Sequence, residues 1–340
     1  MRKSAAGWFC IILFAGGVTV ILLEGCSRLY YLFQNSSAVL QLSNNPQVIF
    51  EPKPNQRVMN QFHQEVRTNA LGLKGPEVEP RSPHEYRILV IGDSIMAGEY
   101  LPESQRLPNF LARRIRLETG YHTMTWSGAV GGYNVWQEFG ALQKRIRQVE
   151  PDLVLIGVCA NDFVRIRSRA FQWRGHLFII SQRDGSIARY FNALYQISDF
   201  YKLLYDSIHQ VRLRCLSSEK FLVHYPVPGV TPADEEAWAN VLEEMAHLAK
   251  DHGAVPLFVF FPLHPQVYRG EAVMNAHLFQ WASKKDYPFV DLTQTFQNED
   301  ATGMSLFRDR DIIHPTEKGF QIASKAVFDY LKRQHIVSPL

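Results

Sequence analysis

The stretch RILVIGDSIM, residues 87–96, decides how the rest of the chain is read. Its first half, residues 87–91, is a short apolar run that stops at Gly92. Such a run reads as a strand buried on both faces of a parallel sheet. Its second half places Gly92, Asp93 and Ser94 directly beyond that strand. Ligands of an open parallel sheet bind beyond the carboxyl ends of its strands. A strand-to-helix turn can expose a serine Oγ with backbone N–H groups beside it, and a base that takes its proton turns it into a nucleophile. The same three residues also suit a capping serine or a phosphate-binding turn.

Working outward, strands and amphipathic helices alternate. Leu107, Phe110, Leu111 and Ile115 share a helical face that Gly120 ends. A weaker strand follows at 122–126, then a second helical face of Val135, Phe139, Leu142, Ile146 and Val149. Residues 152–158 (DLVLIGV) form the best strand in the chain. Thr231 and Pro232 read as the cap and first residue of a helix with Trp238, Val241, Leu242, Met245 and Leu248 on one face. Strands at 255–261 and 288–292 and a closing helix at 315–333 complete the rhythm, with no internal repeat. The expectation is an α/β fold, a parallel sheet covered on both faces by helices. Between 163 and 220 the rhythm breaks. That segment holds ten Arg and Lys against four Asp and Glu, and Leu194, Ile197, Tyr201, Leu204, Ile208 and Val211 form a helical stripe within it. It reads as an insertion at the active-site edge, either a lid that touches anionic lipid or glycan or a stripe that packs on the core.

The 340 residues are 46% apolar and 20% charged, which suits one large domain with accessory segments. A net charge of +3 gives no argument for nucleic acid. Cys10, Cys26, Cys159 and Cys215 are scattered, so neither a disulfide framework nor a zinc site follows from them. Residues 5–23 carry no charge, and as a helix they would rise about 28 Å, close to a bilayer's hydrocarbon core. They are expected to be a transmembrane signal anchor behind a cytoplasmic tail at 1–4. Arg2 and Lys3 precede the span, which puts the catalytic bulk outside the cytoplasm, periplasmic or extracellular. Cleavage near Leu23-Glu24-Gly25-Cys26, as in a bacterial lipoprotein, is the alternative. Residues 24–86, with six prolines and weak periodicity, read as a juxtamembrane stalk and lead-in packed along a domain.

Two further polar clusters carry chemistry. Asn161-Asp162 follows the 152–158 strand, and an Asn amide can donate to a developing oxyanion; an ordinary turn Asn is the plain alternative. Asp311 and His314 stand three apart before the last helix, a spacing that lets the carboxylate hold the imidazole Nδ1–H and leave Nε2 free as a base. A surface Asp–His pair is the bland reading. His264, in Leu-His-Pro after a strand, reads as a solvated loop residue or a substrate contact.

The order of the pieces resembles the SGNH/GDSL serine hydrolase family. The matching text is RILVIGDSIM at 87–96, SGAVGGYN at 127–134, PDLVLIGVCANDF at 151–163 and DIIHPTEKGFQIA at 311–323. TNALGLKG at 68–75 looks like the lead-in of membrane-attached members. The resemblance covers 87–333, with an insertion at about 164–230. It implies a three-layer αβα sandwich with a mostly parallel five-stranded, flavodoxin-like sheet. It also implies Ser94 as nucleophile, His314 as base, Asp311 as its orienting partner, and an oxyanion hole from the Ser94 N–H, the Gly132 N–H and the Asn161 amide. Gly128 is the runner-up to Gly132, Asp162 is expected to anchor its loop, and Cys159 stands where the family usually has Gly. The function implied is cleavage of an O-acyl or O-acetyl ester on an envelope glycan or lipid. An acyltransferase using the same triad, or a degenerate glycan-binding member, would share the fold. A nucleotide-binding flavodoxin-like domain would need phosphate-cradling glycines that the chain lacks. No cofactor and no metal are expected; the partners are a lipid bilayer through the N-terminal helix and an acylated glycan or lipid.

Overall fold

The structure, a computed structural model, describes residues 5–34, 39–60, 62–159, 162, 167–173, 176–182, 198, 200–201, 203–204, 207–208, 232–269, 273–309 and 311–340. A long helix α1 (Ala5–Gln34) is followed by four short strands, β1 (Leu40–Leu42), β2 (Phe50–Pro52), β3 (Arg57–Met59) and β4 (Glu65–Arg67). The alternating region starts with β5 (Glu85–Ile91), α2 (Ser94–Ala97), α3 (Leu107–Thr119), β6 (His122–Ser127), α4 (Val135–Val149) and β7 (Leu153–Cys159). Next come β8 (Arg167–Trp173), β9 (His176–Gln182), α5 (Pro232–Asp251) and β10 (Val255–Phe261). The chain closes with α6 (His264–Arg269), α7 (Val273–Lys284), β11 (Phe289–Asp291), α8 (Thr293–Glu299) and α9 (Glu317–Arg333).

The five-stranded sheet runs β11-β10-β7-β5-β6, every pair parallel. Counted in sequence order from β5, that is 2-1-3-4-5, the flavodoxin-like order in which the chain reverses direction between its first and third strands. Ile88–Ile91 and all of Leu153–Cys159 are buried, as expected of strands covered on both faces. β6 lies on one side of β5 and β7 on the other. Right-handed crossovers in opposite directions therefore send α3 and α4 to opposite faces. α3 packs with α9 and α4 with α5, which gives the helix–sheet–helix layering.

The turn after β5 depends on two bare backbones. Gly92 has a φ of 153°, and a Cβ there would lie 2.5 Å from Met96 Cγ. A Cβ on Gly157 of β7 would lie 2.1 Å from the same atom. Met96 thus seats α2 directly on the sheet because both glycines leave room for it. At the other end of β5, the buried Arg87 guanidinium is fully engaged. Nε donates to Glu85 at 2.8 Å, Nη1 to the Val149 carbonyl at 2.9 Å and Nη2 to the Glu79 carbonyl at 2.7 Å.

The lead-in packs along the domain through ordered structure. β1 pairs with β2 and β3 with β4, both antiparallel, and Val48, Phe50, Val66 and Leu73 are buried. Lys74 and Ser127 exchange backbone hydrogen bonds of 2.9 and 2.7 Å beside β6. Gln137 Nε2 donates to the Val48 carbonyl at 3.0 Å, and Tyr133 Oη donates to the Phe50 carbonyl. Of the insertion, β8 and β9 form an antiparallel hairpin, and Leu177 packs on the cluster of Val48, Phe50, Val130 and Tyr133. Leu204 and Ile208 of the expected stripe are exposed, while Leu194, Ile197, Val211 and the cap Thr231 lie outside the described residues.

α1 contains the expected span at 5–23 and continues to Gln34. Among the described residues no helix is long and apolar enough to cross a membrane, so the transmembrane reading gains no support from them. Glu24 of α1 instead accepts from Ser198 Oγ at 2.7 Å and from the Phe200 N–H at 3.2 Å, joining the helix to the insertion.

Gly157→Ala is expected to destabilise the fold by about 1–3 kcal/mol, the usual cost of overpacking a filled core. In urea melts, Met96→Ala combined with Gly157→Ala should cost less than the two single changes together, since the added methyl then has room.

Candidate active site

β5 delivers Ser94 to the carboxyl edge of the sheet, where α2 begins. Asp93 caps that short helix, its Oδ1 accepting the Ile95 N–H at 2.8 Å. Ser94 Oγ lies 2.9 Å from His314 Nε2, and His314 Nδ1 lies 2.8 Å from Asp311 Oδ2. The structure therefore brings together Ser94, His314 and Asp311, which are 220 residues apart at the extremes. The other carboxylate oxygen of Asp311 accepts the backbone N–H groups of Ile313 (3.0 Å) and His314 (3.1 Å). Burial pushes the Asp311 carboxyl up. The bond to His314, its charge and the two backbone donors outweigh this and hold it below its ordinary value of 3.8. A carboxyl depressed in this way stabilises the fold fully above that ordinary value, and the contribution is lost as pH falls through the lowered one.

The loop after β6 reaches the same edge. The Gly128 N–H donates to the Val90 carbonyl at 2.9 Å and that of Val130 to Gly92 at 3.1 Å, so Gly128 has its donor committed. Among the described residues no backbone carbonyl takes the N–H of Gly131 or Gly132. A Cβ on Gly131 would stand 3.6 Å from Ser94 Cβ, and Gly132 has a φ of 83° facing open space. Asn134 then caps α4 in a reciprocal pair with Gln137. Asn161 lies outside the described residues. Its neighbour Asp162 anchors the turn as expected, Oδ2 accepting the Cys159 N–H at 2.7 Å, while its carbonyl receives the Val135 N–H at 3.3 Å. The side chains of Asp93, Cys159 and Asp162 place potential metal-ligand atoms within 4.8 Å of one another, all buried.

His264 is not a solvated loop residue. It is 5% exposed, stacks on Phe307 at 4.8 Å, and its Nε2 meets the Thr302 carbonyl at 2.8 Å. Its backbone N–H holds the Ile312 carbonyl at 2.8 Å, so it braces the loop that carries Asp311 and His314. Burial lowers its pKa, which keeps the ring neutral.

Three further residues were missed by the sequence reading. The Tyr100 ring meets the His314 ring edge-on at 5.0 Å. Arg308 lies over Tyr100 at 5.0 Å and Phe62 at 5.3 Å, with Nη1 3.5 Å from Asp311 Oδ2. The buried Lys74 Nζ donates to Glu99 Oε1 and to the Ala129 carbonyl, each at 2.6 Å. It thereby ties the segment after Ser94 to the glycine loop. The only sequence signal was for Lys74, which sits inside the lead-in motif at 68–75.

A parallel α/β sheet with a Ser–His–Asp relay at its switch point defines a protein built like the serine hydrolases. The sequence profile of the GDSL-like lipase/acylhydrolase family matches residues 90–322, and the chain belongs to that family. It is 34% identical over 79 residues to an arylesterase of Vibrio mimicus, a stretch covering 23% of this chain and 39% of that protein. The match thus spans about two fifths of that relative's length. Among solved structures it is similar to TesA, with 18% identity, a TM-score of 0.44 and coverage of 73% of this chain and 98% of that one. It is similar also to the lipase/acylhydrolase from Enterococcus faecalis, with 14% identity, a TM-score of 0.43 and coverage of 73% and 96%.

Lys74→Met should leave the fold cooperative but let the glycine loop drift from Ser94. A displacement near 1 Å can slow chemistry roughly 10²-fold, and labelling of Ser94 by a fluorophosphonate should slow comparably. Labelling at the wild-type rate would show that the loop holds without the ammonium.

Proposed function

We propose that the chain hydrolyses carboxylic esters through an acyl-enzyme at Ser94. The observation that carries this reading is the continuous relay from Ser94 Oγ through His314 to Asp311, at 2.9 and 2.8 Å. His314 Nε2 takes the Oγ proton as Ser94 attacks the carbonyl carbon, then returns it to the leaving alkoxide. Asp311 fixes the tautomer and favours the imidazolium that forms. The oxyanion is held by the Ser94 N–H, by the Gly132 N–H at the open end of the glycine loop, and by the Asn161 amide. Water then enters by the same base and releases the acid. The arylesterase likeness and the family membership support ester chemistry.

The substrate we infer is an O-acyl, chiefly O-acetyl, ester on an envelope glycan or lipid, with the catalytic bulk outside the cytoplasm. The support is the apolar outer surface of α1, where Phe14, Val20, Ile21 and Leu22 are exposed, with Leu204 and Ile208 exposed in the insertion that Glu24 joins to it. Membrane attachment through α1 accounts for both patches. After alkaline carbonate extraction the full chain should stay with membranes and a chain lacking residues 1–34 should not; equal partitioning would remove this part of the reading.

Against p-nitrophenyl esters of rising chain length, Ser94→Ala and His314→Ala should each lose activity by several orders of magnitude, since relay members act as a unit. Asp311→Asn should lose less than His314→Ala. Removing an oxyanion donor typically costs about 10²–10³ in kcat, and Asn161→Ala should fall in that range with KM little changed. Hydrolysis or fluorophosphonate labelling that survives in Ser94→Ala would place the nucleophile elsewhere.

A further inference from the structure

Directly beneath the Ser94 turn lies a group of acids that the reaction above does not use. Glu138 of α4 is 0% exposed, and neither of its carboxyl oxygens has a hydrogen-bond partner among the described residues. Asp162 is 0% exposed as well, and its Oδ1 is likewise without a partner while Oδ2 takes the Cys159 N–H. Asp93 is 2% exposed. The Val135 N–H reaches the Asp162 carbonyl, and Glu138 stands one helical turn further along the same face of α4. Leaving buried polar oxygens unpaired forfeits their hydration with nothing in return, and the penalty grows where they bear charge. A fully buried pair of carboxylates is worse still. A single proton shared between Glu138 and Asp162 would pair two of these three oxygens.

We propose that Glu138 is a buried carboxylic acid that donates its proton to Asp162 Oδ1, and that this pair positions the Ser94 turn and the start of α4 as one unit. The proposal rests on the ester-hydrolase reading only for its kinetic consequence. Burial is the main force raising both carboxyls well above their ordinary values, and neighbouring acids add to it: Asp93 acts on Glu138, and Glu138 and Asp93 act on Asp162. The pair binds its proton as a unit. The groups that meet here are Glu138 from α4, Asp93 from the turn after β5, and Asp162 and Cys159 from the end of β7, with no basic side chain among the described residues acting on Glu138 or Asp162. With one proton in place, Asp93 can remain the carboxylate that caps the Ser94 turn through the Ile95 N–H. Glu138 and Asp162 act through Asp93 and the turn at 159–162, so they are positioning residues.

The test uses the full chain. Infrared difference spectra of wild type against Glu138→Gln at neutral pH should show the carbonyl stretch of a protonated carboxylic acid, lost in the variant. Glu138→Gln keeps a donor toward Asp162 and should match wild type in kcat and thermal midpoint. Glu138→Leu removes the donor and should lower kcat roughly 10²-fold with KM unchanged, the scale of a small misplacement. Wild type should lose kcat at alkaline pH as the shared proton leaves, and Glu138→Gln should not. A chain with no esterase activity in any form would sink the hydrolase reading while the infrared band still tests the pair. Absence of the band, or a stoichiometric bound metal ion in wild type that Glu138→Gln loses, would overturn the proposal. If Glu138→Leu does not fold, the infrared band and the alkaline limb of Glu138→Gln decide alone.

Discussion

Everything at the proposed site depends on the register of one strand with its two neighbours. β5 pairs with β6 so that Val90 sits beside Ser127, and with β7 so that Ile91 sits beside Ile156. These pairings bring three chain exits to one level, and the residues beyond them emerge at a common edge. The Gly128 and Val130 N–H groups continue the β5–β6 pairing past the strand ends onto Val90 and Gly92. The glycine loop therefore inherits the sheet's position instead of wandering. A slip of one residue would turn the whole buried face of β5 outward, so the apolar run that specifies the fold also aligns the chemistry.

The fourth element of the site comes from the far end of the chain and is held differently. The loop of Asp311 and His314 belongs to no strand. It is fixed by His264 through Ile312, by Asp311 capping its own turn, and by Tyr100 against the imidazole. The Ser94 side is held because it continues the sheet. The His314 side is held because small polar bonds close a loop on itself.

Much of this was legible in the sequence, for a physical reason in each case. Ser94 could be read because it directly follows a buried strand, and Asp311 with His314 because their partnership is local, three residues apart. The five strands of the parallel sheet followed from apolar periodicity within two residues at each end, and α3, α4, α5 and α9 from their apolar faces. Lys74 and His264 could not be assigned because their partners lie 55 and 38 residues away in sequence, at Ala129 and Thr302. His264 was read as solvated since nothing local shows that Phe307 will cover it. Glu138 did leave a trace: it stands three residues after Val135 and four before Leu142, on the apolar face of α4, where a charged residue is out of place. The lead-in was legible only as weakly periodic, because its short strands bury too few residues to write a pattern.

Lys74 gives that lead-in a consequence for where the working unit begins. A serine-hydrolase core is ordinarily thought to start at its first sheet strand, here at Glu85. Yet the ammonium that spans the segment after Ser94 and the glycine loop is supplied from eleven residues earlier. Earlier still, Val48 and Phe50 receive Gln137 and Tyr133. The portable module is thus longer than the fold that names it. A recombination or gene-fusion boundary drawn at β5 would carry away every residue of the relay and leave behind part of what holds it in place.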